Sequence, residues 1–346
     1  MARRWLWSCG WLVVPVFGAA AASACGEGEL FGSGTSATAA GGQGGHDTSA
    51  GAGGAAGGGA QGGAGGVGPG GTGPGGSAGG GGAAPVTDFF QPGPYEVSSK
   101  SGQVAMLGCG FLNKMDYLLF EPEQAEGAPI VVLAHGFERG PDNMAEMAKR
   151  MASFGVRVLA PGYCHMSMID YNPAQNAADE LKLVAELGSG APVIHAGHSA
   201  GGLVALLAAE KDSGTVAVLA LDAVDKDGLG AAAALKIVRP TLGLDGEPGT
   251  CNQNNNGGVQ LAKLSPQGWA ARVVGATHCD FEGPTDWACT SLCGGEGSKG
   301  QRDLIRAMAA AFVAWQAGLD PSGKQWVTVA GSKYQELVSG GALAPL

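Results

Sequence analysis

From residue 103 onward, short apolar runs alternate with longer stretches in which apolar residues return every three or four positions. The runs are too short for helices and rich in β-branched residues, whereas the longer stretches carry the helical period. Residues 103–107 and 117–120 read as an opening antiparallel pair of strands. Residues 129–134 are an unbroken apolar run, the pattern of a strand buried on both faces. A helix is expected over 143–154, where Met144, Met147, Ala148 and Met151 share one stripe. A strand at 156–160 ends at Pro161-Gly162. The unit then repeats, with a helix at 173–187 striped by Ala177, Leu181, Val184 and Leu187, a strand at 192–196 and an apolar helix at 200–209. Residues 216–221, 240–244 and 272–274 supply three more strands, and a helix over 304–315 closes the pattern. Strands alternating with helices in this way, about eight strands in all, predict an α/β fold with a mostly parallel sheet flanked by helices.

The first 84 residues follow another rule. Most of the excess of glycine lies here, and from Gly32 to Ala84 the chain is almost entirely Gly and Ala with scattered Ser, Thr, Pro and Gln. Such a segment has almost no large side chain to bury, so it cannot offset the entropy lost on ordering, and residues 26–84 read as a flexible tether. Its span would be roughly 40 Å by the scaling for Gly-rich chains. Before it, Arg3 and Arg4 precede an apolar stretch interrupted by Ser8, Gly10, Pro15 and Gly18, then Ala22-Ser23-Ala24-Cys25. That is the layout of an export signal. The last four residues resemble a bacterial lipobox, with Ala22 where Leu is commonest, so residues 1–25 are expected to end in a lipid-bearing Cys25. An ordinary cleaved signal peptide is the alternative. The protein is therefore expected outside the cytoplasm, tethered at the cell envelope or secreted, with membrane contact only through the anchor.

Residues 85–346 are enough for one large α/β domain. A net charge of −10, without a basic cluster after Arg4, excludes nucleic acid as the natural partner. Six cysteines follow Cys25: Cys109, Cys164, Cys251, Cys279, Cys289 and Cys293. In an exported chain an even number suggests disulfides. A Cys251–Cys279 bridge is one expectation, tying the loop after residue 245 to the loop that carries His278. A zinc site at Cys289, Cys293 and Cys279 is set against this, but an oxidising compartment and the lack of a second close Cys or His pair disfavour it.

The chemistry-bearing residues lie at the ends of the expected strands. Gly197-His198-Ser199-Ala200-Gly201 fits the G-x-S-x-G elbow, between the strand 192–196 and the helix 200–209. A serine there is pushed above the sheet edge as a nucleophile, and glycines on either side let strand and helix close together. A serine hydroxyl needs a base. Of His46, His135, His165, His195, His198 and His278, only His278 follows Ser199, just beyond the last expected strand. Two aspartates suit the third position, Asp222 and Asp245, each ending a strand; generic topology favours the later one. Two backbone amides would form an oxyanion hole, Ala200 after the serine and Phe137 in His135-Gly136-Phe137. The Asn-rich segment 246–268, with Asn252, Asn254, Asn255 and Asn256, is expected to form a loop beside the site. Met166, Met168 and Ile169 are candidates for an apolar pocket wall, against the plainer reading of ordinary packing.

These pieces resemble the chlorophyllase-like branch of the α/β-hydrolases, together with its dienelactone-hydrolase-type and polyester-hydrolase-like relatives. The match runs from about Pro129 to Cys293 and rests on the His135-Gly136-Phe137 loop, Gly197-His198-Ser199-Ala200-Gly201-Gly202, Leu221-Asp222-Ala223-Val224-Asp225 and Thr277-His278-Cys279-Asp280. The resemblance places the acid at Asp222, in a segment where Ala223 replaces the family's proline. It implies cleavage of carboxylic esters by a Ser199-His278-Asp222 triad through an acyl-enzyme, on a small-molecule or polymeric substrate, with no cofactor and no metal. It does not imply chlorophyll, because chlorophyllases usually carry Arg where this chain has Ala200. The alternatives are an amidase or peptidase using the same triad, or a binding module on a hydrolase scaffold.

Overall fold

The computed structural model describes residues 85–123 and 127–346; the expected signal segment, lipobox and tether lie outside the described residues. Strands β1 (Val97–Ala105), β2 (Lys114–Pro122) and β3 (Ile130–Ala134) lead to helix α1 (Ala145–Ala152) and β4 (Arg157–Pro161). A two-residue ribbon, β5 (Met166–Ser167) and β6 (Asp170–Tyr171), precedes α2 (Pro173–Leu187), β7 (Val193–His198), α3 (Ala200–Lys211) and β8 (Thr215–Leu221). The second half contains α4 (Leu229–Ala234), β9 (Thr241–Asp245), α5 (Gly258–Leu264), β10 (Gly268–Val273) and α6 (Trp287–Leu292). It closes with α7 (Lys299–Gln316), α8 (Lys324–Val327), α9 (Ser332–Ser339) and β11 (Leu343–Pro345).

The large sheet runs β1-β2-β4-β3-β7-β8-β9-β10-β11, nine strands rather than eight. The uncounted strand is β11, a three-residue antiparallel edge whose partner is β10. Three residues are too few for a periodic signal. The strands from β4 to β10 are parallel and the outer ones antiparallel, so the mostly parallel sheet is as expected. The first strand runs Val97–Ala105, so Leu107 belongs to the following turn, and residues 141–144 form a tight single turn ahead of α1.

Each face of the sheet carries its own core. On one, α1 with the turn before it and α7 bring Met144, Met147, Met151, Ile305, Met308 and Phe312 against the strands. On the other, α3 is buried almost all round, with Leu203, Val204, Leu206 and Leu207 wedged under α2 and α4. Strand β7, central in the sheet, is buried at every position. This is why its sequence does not alternate.

One polar cluster interrupts the second face. His195 in β7 is wholly buried, with Nδ1 2.5 Å from Glu180 Oε1 and Nε2 3.0 Å from Asp212 Oδ2. The Tyr163 hydroxyl donates to the other Glu180 oxygen. Burial lowers the His195 pKa, but the bonds to Asp212 and Glu180 outweigh it and raise it to about 9. The folded state therefore binds the His195 proton more tightly than the unfolded chain, whose histidines titrate near 6.5. The resulting stability is full below about pH 6.5 and is lost as pH rises through about 9. His195→Gln should accordingly melt well below the wild type at pH 6, with the gap narrowing by pH 9.5. Thermal melts across that range read the effect, and a gap independent of pH would refute it.

Candidate active site

The parallel strands deliver their C-terminal ends to one edge of the sheet, and the site is assembled there. Ser199 follows β7 and begins α3 with φ 57° and ψ −124°, a conformation that a non-glycine residue adopts only under constraint. The chain can turn this sharply because its neighbours lack side chains. A Cβ on Gly197 would lie 2.2 Å from the Gly201 carbonyl oxygen, and one on Gly201 2.5 Å from the carbonyl oxygens of Ala134 and His135. Strand, helix and the adjacent loop therefore meet backbone to backbone.

His278 lies in a single turn after β10, and its Nε2 is 2.9 Å from Ser199 Oγ. Its Nδ1 is 2.5 Å from Asp222 Oδ2. Asp222 directly follows β8, is wholly buried and holds φ 42°. Its carboxylate accepts further bonds from the Gly246 amide at 3.0 Å, from Asn252 Nδ2 at 3.2 Å to both oxygens and from Asn255 Nδ2 at 3.3 Å. The Asn-rich loop thus lies not merely beside the site but around its carboxylate. It does so through three successive left-handed residues, Gln253, Asn254 and Asn255, a conformation that asparagine tolerates better than most. The asparagine run was the available signal for this role, since a turn rich in amide donors suits a buried anion.

Asp245, the other candidate acid, ends β9 beside Asp222 but, among the described residues, makes no hydrogen bond through either oxygen, and none to His278. Burial first, and the Asp222 charge second, push its pKa up to about 8, so at neutral pH it is mostly the uncharged acid. Two adjacent buried carboxyls cannot both ionise cheaply. The one wrapped in donors carries the charge.

The remaining histidines of the site are neutral. His198 is buried, its ring has no hydrogen-bond partner among the described residues, and it packs 4.6 Å from the His278 ring, with its pKa held well below the ordinary value by burial and then by His278. His135 is brought down to about 4, chiefly by burial; its Nδ1 donates to the Gly136 carbonyl and its Nε2 accepts from the Tyr163 amide. This fixes the start of the His135-Gly136-Phe137 loop, which passes so close that a Cβ on Gly136 would lie 3.2 Å from Ser199 Cβ. Glu138, at φ 56°, anchors the middle of the loop to the β5–β6 ribbon: its amide donates to the Met166 carbonyl and its carboxylate accepts from the Met168 amide.

Arg139 closes the loop's far end, and sequence reasoning did not single it out. Its guanidinium grips Glu282 through two bonds of 2.6 and 2.8 Å and reaches both oxygens of Asp286 at 3.1 Å. Glu282 lies four residues beyond His278, and Asp286 caps α6. One side chain therefore ties the loop beside Ser199 to the loop that carries His278.

Beside Ser199 lies a mainly apolar cleft of about 310 Å³, walled by Phe137, Met168, Ala288 and Leu292. Of the three expected wall residues only Met168 lines it. Met166 is buried in the core and Ile169 points into solvent. The Cys251–Cys279 bridge is not formed. The pairs are Cys109–Cys164, Cys251–Cys293 and Cys279–Cys289. The Asn-rich loop and the His278 loop are each stapled to α6 instead of to one another, a partnership that spacing alone cannot reveal. The sulfurs of Cys279, Cys289 and Cys293 lie within 4.8 Å of one another, but as disulfides they offer no thiolate to a metal.

Removing Arg139 leaves the Glu282 side chain, which is fully buried, without its partner. Arg139→Ala should destabilise the fold by about 3 kcal/mol, and Arg139→Lys should recover only part, since an ammonium cannot reproduce the paired bonds. Denaturant melts measure both; a cost under about 1 kcal/mol would mean that the clamp is solvent-screened.

Across residues 131–342 the chain matches the family model described as the alpha/beta hydrolase family. No curated protein matches the chain. The three disulfides fit an exported protein, and among the described residues no helix is long and apolar enough to cross a membrane. With its central parallel sheet, strained serine elbow and matched span, the chain belongs to the alpha/beta hydrolase family.

Proposed function

We propose that the protein is a serine hydrolase of carboxylic esters, working through Ser199, His278 and Asp222. The observation that carries this reading is the unbroken chain from the buried Asp222 carboxylate through His278 to Ser199 Oγ, with links of 2.5 and 2.9 Å, at the mouth of an apolar cleft. His278 Nε2 takes the Ser199 proton as Oγ attacks the ester carbonyl carbon. Asp222 holds the imidazole in the tautomer with Nδ1 protonated and stabilises the imidazolium that forms. The amides of Phe137 and Ala200 receive the negative oxygen of the tetrahedral intermediate. His278 then protonates the leaving alcohol, and water repeats the sequence on the acyl-enzyme, releasing the acid. The cleft's apolar walls suit an acyl or aromatic group over a charged one. The reading extends to the N-terminus: a signal segment ending in a lipid-bearing Cys25 and a Gly/Ala tether would hold the enzyme at the cell envelope.

A fluorophosphonate probe, with p-nitrophenyl esters of rising acyl length, tests the chemistry. Ser199→Ala should lose labelling and lower kcat/KM by at least about 10⁴-fold, and Asp222→Asn should lower it by about 10³–10⁴-fold. Asp245→Asn should stay within about threefold at pH 7, since the carboxyl it replaces is neutral and unbonded there. Loss in Asp245→Asn with Asp222→Asn intact would reverse the assignment of the acid. Absence of labelling and turnover in the folded wild type would end the enzyme reading. Reduction of the α6 disulfides by a dithiol should lower melting temperature and turnover together, because they staple the His278 loop and the Asn-rich loop; unchanged turnover in fully reduced protein would show that the staples are dispensable.

A further inference from the structure

Large apolar side chains that fold out into water usually do so singly. Here the extreme cases gather in one region. Phe111 is 100% exposed, Ile169 98%, Leu107 82%, Met168 81%, Trp287 79%, Leu292 75% and Leu112 70%; no other large apolar side chain among the described residues exceeds the 62% of Val238. They come from three places: the turn between β1 and β2, the turn of the β5–β6 ribbon, and α6.

The sheet register puts all three at the edge where Ser199 lies. β2 is antiparallel to β4, with Tyr117 opposite Pro161, so the β1–β2 turn projects from the C-terminal end of β4. β4 is parallel to β3 and β3 to β7, which ends at the serine elbow. Three strand spacings separate β2 from β7, about 14 Å. The Cys109–Cys164 disulfide joins the β1–β2 turn to the segment that leads into the β5–β6 ribbon. Met168 and Leu292 belong to both surfaces, for they line the cleft as well as standing out beside it. The cleft mouth thus opens inside a discontinuous apolar rim.

What rests on the rim is what feeds the cleft, and its charge says which kind of surface that is. Of the acidic groups beside the rim residues, Glu138, Asp170 and Asp286 are taken up by the Met168 amide, His165 and Arg139 respectively. The described cations about the turn and the ribbon include Lys114 at the start of β2, Lys182, whose ammonium donates to the Ala105 carbonyl, and Lys226, which stands over the Tyr171 ring with Asp225 and Asp227 nearby, so charges of both signs are interspersed. An anionic headgroup layer would call for an excess of basic side chains. The N-terminal part of the chain joins the domain at the opposite edge: Thr87 bonds to Asp320 and Ser322, Phe89 and Phe90 pack on Trp326, and the Tyr95 amide reaches Ser153, just ahead of the N-terminal end of β4. The described chain therefore enters the domain away from the rim.

We propose that the catalytic edge is an adsorption surface, and that the ester consumed at Ser199 is drawn from a neutral, condensed apolar phase rather than from free solution. This rests on the ester-hydrolase reading above. Leu107, Phe111, Leu112, Ile169 and Trp287 seat the protein on the phase, and Met168 and Leu292 pass the substrate inward.

The test compares the full-length protein with a Phe111→Ser, Leu112→Ser, Ile169→Ser triple variant, three positions that line no cleft and support no core. Three measurements are made: turnover of dissolved p-nitrophenyl acetate, turnover of tributyrin below and above its solubility limit, and depletion of protein from solution by the emulsion. The wild type should gain rate once droplets form. The variant should keep its p-nitrophenyl acetate turnover within about twofold while its droplet adsorption and droplet turnover fall about tenfold or more, since three apolar side chains no longer leave water. Equal adsorption by the two proteins would overturn the proposal. Depletion by phosphatidylcholine vesicles but not by the emulsion would overturn it in favour of a membrane surface, and a dimer that the variant converts to monomer in favour of a second copy. If fluorophosphonate labelling and turnover of both esters are absent, the ester reading itself fails, while droplet depletion still reports on the surface.

Discussion

A carboxylate removed from water must be surrounded by donors or lose its charge, and Asp222 meets that condition in full. It receives the His278 ring, the Gly246 amide and the side-chain amides of Asn252 and Asn255, all inside the protein. Much of this edge of the sheet follows from this. The loop after β9 must curl back through left-handed residues to bring its asparagines to the anion, and disulfides to α6 staple both that loop and the His278 loop. Asp245, one strand away with no donors of its own, is left as the neutral acid. In the proposed reaction, a carboxylate held by groups already in place orients the imidazole without reorganisation when a proton moves.

The loop beside Ser199 is held by a comparable economy of contacts. The loop of residues 135–139 lies against the serine with His135 fixed by the Tyr163 amide, Glu138 by the β5–β6 ribbon and Arg139 by Glu282 and Asp286. Its two ends are therefore tied to different parts of the fold, one to the segment after β4 and the other to the segment after His278. A displacement of either loop strains the same clamp, which makes the geometry at Ser199 a property of several elements rather than of one.

The same edge combines a rigid polar interior with an apolar exterior. Hydrogen-bonded groups hold the buried carboxylate, and the aliphatic and disulfide walls of the cleft lie beside the His278 ring that it bonds. Where those walls reach the surface they leave Met168, Leu292 and their neighbours standing in water. In a chain whose net charge is −10, such a patch is unlike the rest of the surface.

Local pattern was sufficient for the layered architecture. The unbroken apolar runs at β3 and β7, the methionine stripe of α1 and the spaced alanines and leucines of α2 each report burial over a few residues, and burial on both faces requires a parallel sheet between helices. The serine elbow was legible because its glycines answer to a close approach of strand and helix that recurs at fixed spacing. The order of residues along the chain singled out His278 by leaving no other histidine after Ser199. Sequence alone did not decide between Asp222 and Asp245, because both end adjacent strands and differ only in which donors surround them. Nor did it decide the cysteine pairing or the role of Arg139, whose partners lie more than 140 positions away. Those choices depend on how loops from distant parts of the chain fall together once the sheet has formed. Spacing records local periodicity, whereas the tertiary structure alone determines which buried charge meets which donor.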